Sequence, residues 1–303
     1  MLEAALAVEE VANANGIQLA FRRYGNPEHP SIVLIAGLGL QLVYWPSKLV
    51  QQLEQAGFSL VVFDNRDAGK SQHMHERGYQ YPMWMVALAA RMGMPLSGCY
   101  RVENLAADTL GLMDALGIEK AHVLGLSMGG MVAQALTIAH PRRVLSLTSI
   151  MSTTGYSGLP LPARDVLLAL MTPLGRTRAD FVEQTVQRWS RLAGTHFPVD
   201  TEHLRQVAAS SYDRGYSQAS TARQLRAILT SKARDQDLGG IRVPTLIIHG
   251  SADPLIHLAG GIRTAQCIPK ARLEIIEGMG HALQPEVVNR IRPMLVEHLS
   301  GAA

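Results

Sequence analysis

The sequence has few of the features that mark disulfide scaffolds, cysteine metal sites or nucleic-acid binders. Its 303 residues include only two cysteines, Cys99 and Cys267, in unrelated contexts. We therefore expect neither a disulfide framework nor a metal site. The formal net charge is only +3, from 28 basic and 25 acidic residues. No basic stripe occurs along the chain, so we expect no nucleic-acid partner.

Long apolar runs are also missing. No uninterrupted apolar stretch is long enough for a membrane span. Residues 1–10 lack the positive start and the sustained apolar core of a signal peptide. These absences predict a cytoplasmic protein. Hydrophobic residues make up 47% and charged residues 17% of the chain, a composition typical of a globular enzyme with a large buried core.

The pattern that is present is an alternation of strands and helices. Strand-like runs lie near residues 17–24, 32–36, 59–63, 121–126, 144–150, 244–249 and 272–276, with helix-like runs such as 102–116 and 128–139 between most of them. This alternation predicts an α/β fold with a mostly parallel central sheet flanked by helices.

One long segment, residues 152–236, interrupts the alternation with helical patterns such as 179–193 and 217–232. We predict that residues 1–151 and 237–303 form the two parts of the core. Residues 152–236 would then form a helical cap over one edge of the sheet, where pockets often form between layers. The alternative is a set of additional core helices.

The stretch Gly-Leu-Ser-Met-Gly at residues 125–129 lies between a strand-like and a helix-like segment. It matches the nucleophile-elbow pattern G-x-S-x-G. A serine on such a sharp turn projects its Oγ away from the sheet, and the helix start presents unpaired N–H groups to a developing negative charge. Ser127 is therefore a candidate nucleophile. The alternative is a turn of small residues that contains a serine by chance.

A nucleophilic serine needs a base, and the base needs a group that orients it. Asp253 follows a late strand, and His281 lies in a glycine-rich loop after the next strand. The carboxyl ends of parallel strands share one edge of a sheet, so these residues can meet Ser127 there. The alternatives are Asp235 and Asp237 for the acid, and His249 and His257 for the base.

Taken together, the motifs resemble the α/β-hydrolase fold superfamily over most of the chain. They are IAGLGL (35–40), FDNRDAGKS (63–71), GLSMG (125–129), HGSADP (249–254) and GMGHAL (278–283). The chain looks similar to esterase-like serine hydrolases such as the aclacinomycin methylesterases. The resemblance implies the α/β-hydrolase fold, with Ser127 as nucleophile, His281 as general base and acid, and Asp253 as the orienting acid.

Acyl transfer also requires donors for the oxyanion. The resemblance assigns these to the backbone N–H groups of Met128 and Leu38. Many relatives carry a histidine where this chain has Ala36, which leaves open what supports the loop around Leu38. The alternative for this loop is a generic glycine turn.

The segment Asp64–Ser71 resembles a family stretch in which glycine is usual at the position of Asp67. We predict that Asp64 and Arg66 pair and hold this loop, and that the carboxylate of Asp67 extends their network. Loss of glycine at position 67 is expected to affect the backbone of the loop.

The function that the resemblance implies is cleavage of a small-molecule carboxylic ester through an acyl-enzyme, with no cofactor and no metal. Lactone, thioester or carbon–carbon bond hydrolysis by the same triad are alternatives, as is a noncatalytic ligand-binding member of the fold. The sequence does not specify the acyl group, the alcohol or the oligomeric state. Residues 79–98, which include four Met and one Trp, are interpreted either as an apolar entrance or as ordinary packing.

Overall fold

The computed structural model describes residues 7–74, 83–92, 94, 99–172, 174–194 and 196–302. The strands of its sheet are β1 (Glu10–Ala14), β2 (Ile17–Tyr24), β3 (Ser31–Ile35), β4 (Ser59–Phe63), β5 (Ala121–Leu126), β6 (Val144–Ile150), β7 (Thr245–Gly250) and β8 (Arg272–Ile276). The helices are α1 (Ser47–Gln55), α2 (Met83–Arg91), α3 (Val102–Ala115), α4 (Met128–Ala139), α5 (Arg164–Met171), α6 (Arg178–Leu192), α7 (Thr201–Asp213), α8 (Gln218–Thr230), α9 (Asp235–Leu238), α10 (Ala259–Cys267) and α11 (Pro285–Ser300), with 3₁₀ turns at Leu42–Tyr44 and Pro141–Arg143.

The strands form one sheet in the order β1-β2-β4-β3-β5-β6-β7-β8. The strands from β4 to β8 in this order pair in parallel, whereas β2 pairs antiparallel with both β1 and β4. The predicted α/β class with a mostly parallel sheet is therefore confirmed. Strand β1, whose sequence is the short and partly polar EVANA, was not predicted.

The central strands are buried on both faces because helices cover the sheet from both sides. Strands β3, β4 and β5 are buried along their whole length. Alternate residues of a strand point to opposite faces. Accordingly Val33 and Ile35 join the cluster beneath α3 and α4, whereas Ile32 and Leu34 join the cluster beneath α1 and α11.

Helices α5 to α8 lie between β6 and β7 in the chain and contact loops at the carboxyl ends of the strands. The N–H of His281 donates to the carbonyl of Leu192 at 2.6 Å. The side chain of Gln41 donates to the carbonyl of Ser211 at 2.9 Å. These contacts put α6 and α7 against the loops after β8 and β3. The boundaries 1–151, 152–236 and 237–303 stay a prediction.

The proposed entrance at residues 79–98 falls partly outside the described residues. Of this segment, the structure describes only residues 83–92 and 94. Helix α2 packs against α8, and Leu88 and Met92 are exposed. None of the helices in the described ranges has the length and apolar character needed to cross a bilayer.

Buried His122 on β5 makes folding stability sensitive to acid. Its side chain is fully buried, and its Nδ1 lies 2.8 Å from Ser146 Oγ. Burial, with a smaller contribution from His298, lowers the pKa of His122 to about 4. In the unfolded chain a histidine titrates near its ordinary value of about 6.5. As pH falls from about 6.5 towards 4, the unfolded chain therefore gains a proton that the folded chain does not bind, and stability falls.

We expect Tm to fall over this pH interval and the fall to be smaller in His122→Gln, whose side chain does not titrate. Thermal unfolding followed by circular dichroism from pH 7.5 to 4 measures it. His29→Gln, at an exposed loop position, is the matched control and keeps the wild-type slope. Equal slopes in the wild type and His122→Gln would contradict this account.

Candidate active site

Ser127 occupies the turn between β5 and α4 in a strained backbone conformation. Its φ is 51° and its ψ is −116°, and a non-glycine residue held in such a region costs on the order of 1–3 kcal/mol. Two hydrogen bonds hold it there. Its N–H donates to the carbonyl of Ile150 at 2.9 Å, and the hydroxyl of Ser152 donates to the carbonyl of Ser127 at 2.7 Å.

The glycines on either side of Ser127 permit close backbone approach. A Cβ on Gly125 would collide with the backbone of Gly129, and a Cβ on Gly129 would collide with the carbonyl of Ile35. Because neither glycine has a Cβ, α4 starts directly against the carboxyl end of β3. The predicted strand–turn–helix context of Ser127 is what the structure shows.

Three side chains from separate loops meet at this turn. The Nε2 of His281 lies 3.0 Å from the Oγ of Ser127, and the Nδ1 of His281 lies 2.7 Å from Oδ2 of Asp253. Ser127 follows β5, Asp253 follows β7 and His281 follows β8. All three strands are parallel, so their carboxyl ends share one edge. The side chains of Asp253 and His281 are buried, which strengthens the interaction between them.

Asp253 is held in its ionised form by its surroundings. Its Oδ1 accepts hydrogen bonds from the N–H groups of Leu255 and Ile256, each at 2.9 Å. Burial acts to raise the pKa of Asp253, but the charge and hydrogen bond of His281 outweigh it, and the net pKa is lowered. A carboxylate in this state accepts the Nδ1–H of His281 and leaves Nε2 to face the serine.

The other histidines considered for the base have hydrogen-bond partners other than the candidate nucleophile. The Nε2 of His249 lies 2.8 Å from the carbonyl of Ile256 and 3.6 Å from Oδ2 of Asp253. Burial lowers the pKa of His249, so this side chain is neutral. Its contact with Ile256 stabilises the turn that carries Asp253. His257 is exposed, and its Nδ1 accepts from the N–H of Ala259 at 3.1 Å.

The alternative acids are engaged elsewhere or exposed. Asp235 begins α9, forms an ion pair with Arg263 and accepts from Thr154 Oγ1 at 3.0 Å. Asp237 is exposed to solvent. The carboxylate that the structure brings to His281 is that of Asp253.

The loop 37–40 lies beside Ser127. The N–H of Leu40 donates to the carbonyl of Gly37 at 3.1 Å and closes the turn that contains Leu38. A Cβ built on Gly37 would lie 3.5 Å from the Cβ of Ser127. On the other side of the serine, Met128 is the first residue of α4, a position whose N–H has no acceptor within the helix.

The predicted pair of Asp64 and Arg66 is wrong. Arg66 instead forms a two-point ion pair with Asp108 of α3, with Nε–Oδ2 and Nη2–Oδ1 distances of 2.5 and 2.6 Å. Asp64 accepts from the N–H of Leu42 at 2.6 Å and forms an ion pair with Arg214. The two side chains point to different elements because the loop turns between them, so closeness in sequence did not produce a contact.

Asp67 adopts the backbone conformation that glycine would provide. Its φ is 65°, in the left-handed region that aspartate tolerates better than most residues. Its carboxylate pairs with Arg223 of α8, with Nε–Oδ2 at 2.9 Å and Nη2–Oδ1 at 2.5 Å. It also accepts from Tyr100 Oη at 2.7 Å and from the N–H of Met74 at 2.9 Å. The prediction that Asp67 extends a network of Asp64 and Arg66 is therefore wrong, because its carboxylate pairs with a cation of α8.

Sequence reasoning missed three residues that contact the loops near the site: Arg214, directly after α7, and Arg223 and Gln224 of α8. They lie far along the chain, and no local pattern marks them. Within the described part of the chain, no group of three or more His, Cys, Asp and Glu side chains is placed to hold a metal ion.

The sequence profile of the alpha/beta hydrolase fold matches residues 30–286. The chain belongs to the α/β-hydrolase fold family. This confirms the family predicted from the five motifs and the fold predicted from the alternation of strands and helices. Relatives of this chain carry the names of several kinds of hydrolase.

Two curated relatives illustrate that range. Rhodomycin D methylesterase DauP of Streptomyces sp. strain C5 is 28% identical over 300 residues, covering 92% of this chain and 93% of the relative. The 3-oxoadipate enol-lactonase 1 of Acinetobacter baylyi is 28% identical over 283 residues, covering 91% of this chain and 92% of the relative. The likeness to esterase-like members of the family is therefore confirmed.

Solved structures share the fold over nearly the whole chain. The enol-lactonase of Burkholderia xenovorans LB400 superposes with a TM-score of 0.70 at 24% identity, covering 96% of this chain and all (100%) of that one. A meta-cleavage product hydrolase of Pseudomonas fluorescens superposes with a TM-score of 0.73 at 23% identity, covering 97% and 98%. At these identities the likeness establishes the fold alone.

Proposed function

We propose that this α/β-hydrolase is a serine hydrolase that cleaves carboxylic esters of small molecules. The observation that carries the proposal is the hydrogen-bonded chain from Asp253 through His281 to Ser127. A nucleophile, a base and a group that orients the base are the minimum set for acyl transfer through a covalent intermediate. The similarity to a methylesterase supports an ester as the substrate.

Acylation uses the geometry directly. Asp253 accepts the Nδ1–H of His281, so the lone pair on Nε2 faces the hydroxyl of Ser127 across 3.0 Å. Oγ attacks the ester carbonyl while its proton passes to Nε2. The N–H groups of Leu38 and Met128 donate to the oxyanion that forms, and such donors are worth most in a buried site.

His281 also carries the protons in the remaining steps. Acylation ends when the tetrahedral intermediate collapses, the C–O bond to the alcohol breaks, and His281 gives its proton to the departing oxygen. A water molecule then gives a proton to His281 and attacks the acyl carbon. Collapse of the second intermediate breaks the bond between the acyl carbon and Oγ, His281 returns its proton to Oγ of Ser127, and the carboxylic acid leaves. These steps require no cofactor.

The segment 152–236 is proposed to act as a cap that selects the substrate. Its helices contact loops after β3, β4 and β8, which surround the carboxyl edge where Ser127 lies. A lactone is the second candidate substrate, because an enol-lactonase is also 28% identical to this chain. A cytoplasmic location stays a prediction of the sequence.

A substrate panel tests the proposal. It contains methyl and p-nitrophenyl esters of short and long acids, lactones, thioesters and a vinylogous diketone for carbon–carbon cleavage. We expect the methyl and p-nitrophenyl esters to have the highest kcat/KM, and Ser127→Ala protein to give the blank rate. Turnover of lactones, thioesters or diketones without esters would move the assignment to that class. Binding without turnover of any member would favour a noncatalytic role.

A further inference from the structure

Gln224 of α8 bridges two loops beside the candidate active site. Its side chain is fully buried. Its Oε1 accepts a hydrogen bond from the N–H of Gly39 at 2.8 Å, and its Nε2 donates to the carbonyl of Arg66 at 2.7 Å. One partner offers only a proton and the other only a lone pair, so the two contacts fix which end of the amide faces each loop.

The contact with Gly39 lies next to the proposed oxyanion donor. Gly39 follows Leu38 in the turn that runs beside Ser127, and its φ is +68°. A Cβ on Gly39 would lie 3.0 Å from Cγ2 of Thr221, so the turn is packed directly against α8. The planar peptide unit that carries the N–H of Leu38 also carries the carbonyl of Gly37, which accepts from the N–H of Leu40 at 3.1 Å. Gln224 holds this turn at the intervening Gly39, so it limits the orientations open to the N–H of Leu38.

Helix α8 is itself tied to the core at a second point. Arg223 pairs with the carboxylate of Asp67, whose loop also receives the hydrogen bond from Gln224. The helix therefore has little freedom to move away from the turn at Gly39. Without Gln224, the N–H of Gly39 would lose its acceptor in a partly buried position, which is unfavourable. Reorientation of the turn would relieve that cost.

We propose that Gln224 is a positioning residue for the oxyanion hole, holding the loop of Leu38 from the helical segment 152–236. The inference rests on the proposed function. It also accounts for how a loop that has Ala36 in place of a histidine is supported. Asn65 contributes from the other side, since its Nδ2 donates to the carbonyl of Ala36 at 3.1 Å. Gln224 acts through Gly39 and does not touch the substrate.

Gln224→Met tests this inference because it keeps the length of the side chain and removes both hydrogen bonds. Removing an oxyanion donor outright costs about 10²–10³-fold in kcat, so displacing one is expected to cost about tenfold. KM for the same ester is expected to change by less than about twofold, because the donors matter most in the transition state. Active-site titration with a fluorophosphonate gives the concentration of reactive sites in each sample, and each kcat is calculated per reactive site.

The inhibition constant of a trifluoromethyl ketone separates a positioning role from a purely structural one, because a purely structural role would leave it unchanged. It forms a tetrahedral adduct whose oxygen occupies the oxyanion hole. We expect its inhibition constant to rise in Gln224→Met in proportion to the loss of kcat/KM. Gln224→Glu keeps an acceptor for the N–H of Gly39 and is expected to recover part of kcat. If Gln224→Met does not fold, Gln224→Asn, too short to span both loops, carries the same expectation.

Ser220→Ala is the matched control. Ser220 is buried on the same helix, and its Oγ lies 2.7 Å from Nδ1 of His73 and accepts from Nη2 of Arg223 at 2.7 Å. Its loss therefore weakens the attachment of α8 but leaves both hydrogen bonds of Gln224 in place. We expect a lower Tm with kcat and inhibition constant unchanged. Wild-type kcat and inhibitor affinity in Gln224→Met, or an equal loss in Ser220→Ala, would overturn the inference while ester hydrolysis stands. Absence of ester turnover in the wild type would instead overturn the proposed function.

Discussion

Ser127→Ala is expected to lose ester hydrolysis by at least about 10⁴-fold in kcat/KM, because removal of the nucleophile leaves only binding and oxyanion stabilisation. The substitution deletes one oxygen and none of the backbone hydrogen bonds that hold the turn. Alanine must adopt the same positive φ, so Tm is measured alongside to show that the fold persists. Binding of a non-hydrolysable ketone analogue that cannot form an adduct is expected to stay within a few-fold.

Ser146→Ala is the control for the first prediction. Ser146 is also a buried serine, but it lies on β6 and contacts His122. Its loss is expected to lower Tm and leave kcat/KM unchanged. Near-normal hydrolysis by folded Ser127→Ala protein would remove Ser127 from the mechanism.

Asp253→Asn is expected to lower kcat by about 10²–10⁴-fold with a smaller change in KM. An amide has one oxygen, and that oxygen is needed by the N–H groups of Leu255 and Ile256. The NH₂ group then faces Nδ1 of His281, which favours the tautomer with its proton on Nε2. In that tautomer His281 cannot accept the proton of Ser127.

Asp235→Asn is the matched control for this second prediction. Asp235 is also a partly buried, ion-paired carboxylate, and its partner is Arg263. Its substitution is expected to lower Tm without a comparable loss of kcat. Steady-state kinetics on one p-nitrophenyl ester compares both variants. An active Asp253→Asn beside an inactive Asp235→Asn would place the acid at position 235.

The elements that the sequence predicted well are those with strong local patterns. Helix α4 spans residues 128–139 as expected. The strands before Ser127 and Asp253 are mostly apolar, and the strand before His281, RLEII, has three apolar residues of five. Because parallel strands end at a common edge, these patterns predicted that Asp253 and His281 can meet Ser127, and the resemblance to the family selected them over the alternatives. Strand β1 was missed because its partly polar segment pairs only on one side, with β2.

Contacts between distant segments were not predictable in this way. The expected pair of Asp64 and Arg66 failed because Arg66 finds its partner 42 positions away on α3. Gln224 and Gly39 are 185 positions apart, and a glutamine within an amphipathic helix carries no signal of such a contact. Which face of α8 meets the core depends on tertiary packing, which periodicity alone does not specify.

The most direct test of the central claim is intact-protein and peptide mass spectrometry of the wild-type chain treated with a fluorophosphonate. The account predicts one phosphonyl group per chain, located on the peptide that contains Ser127, with loss of ester hydrolysis in step with labelling. Active protein that stays unlabelled, or that is inhibited by labelling at another residue, would contradict it.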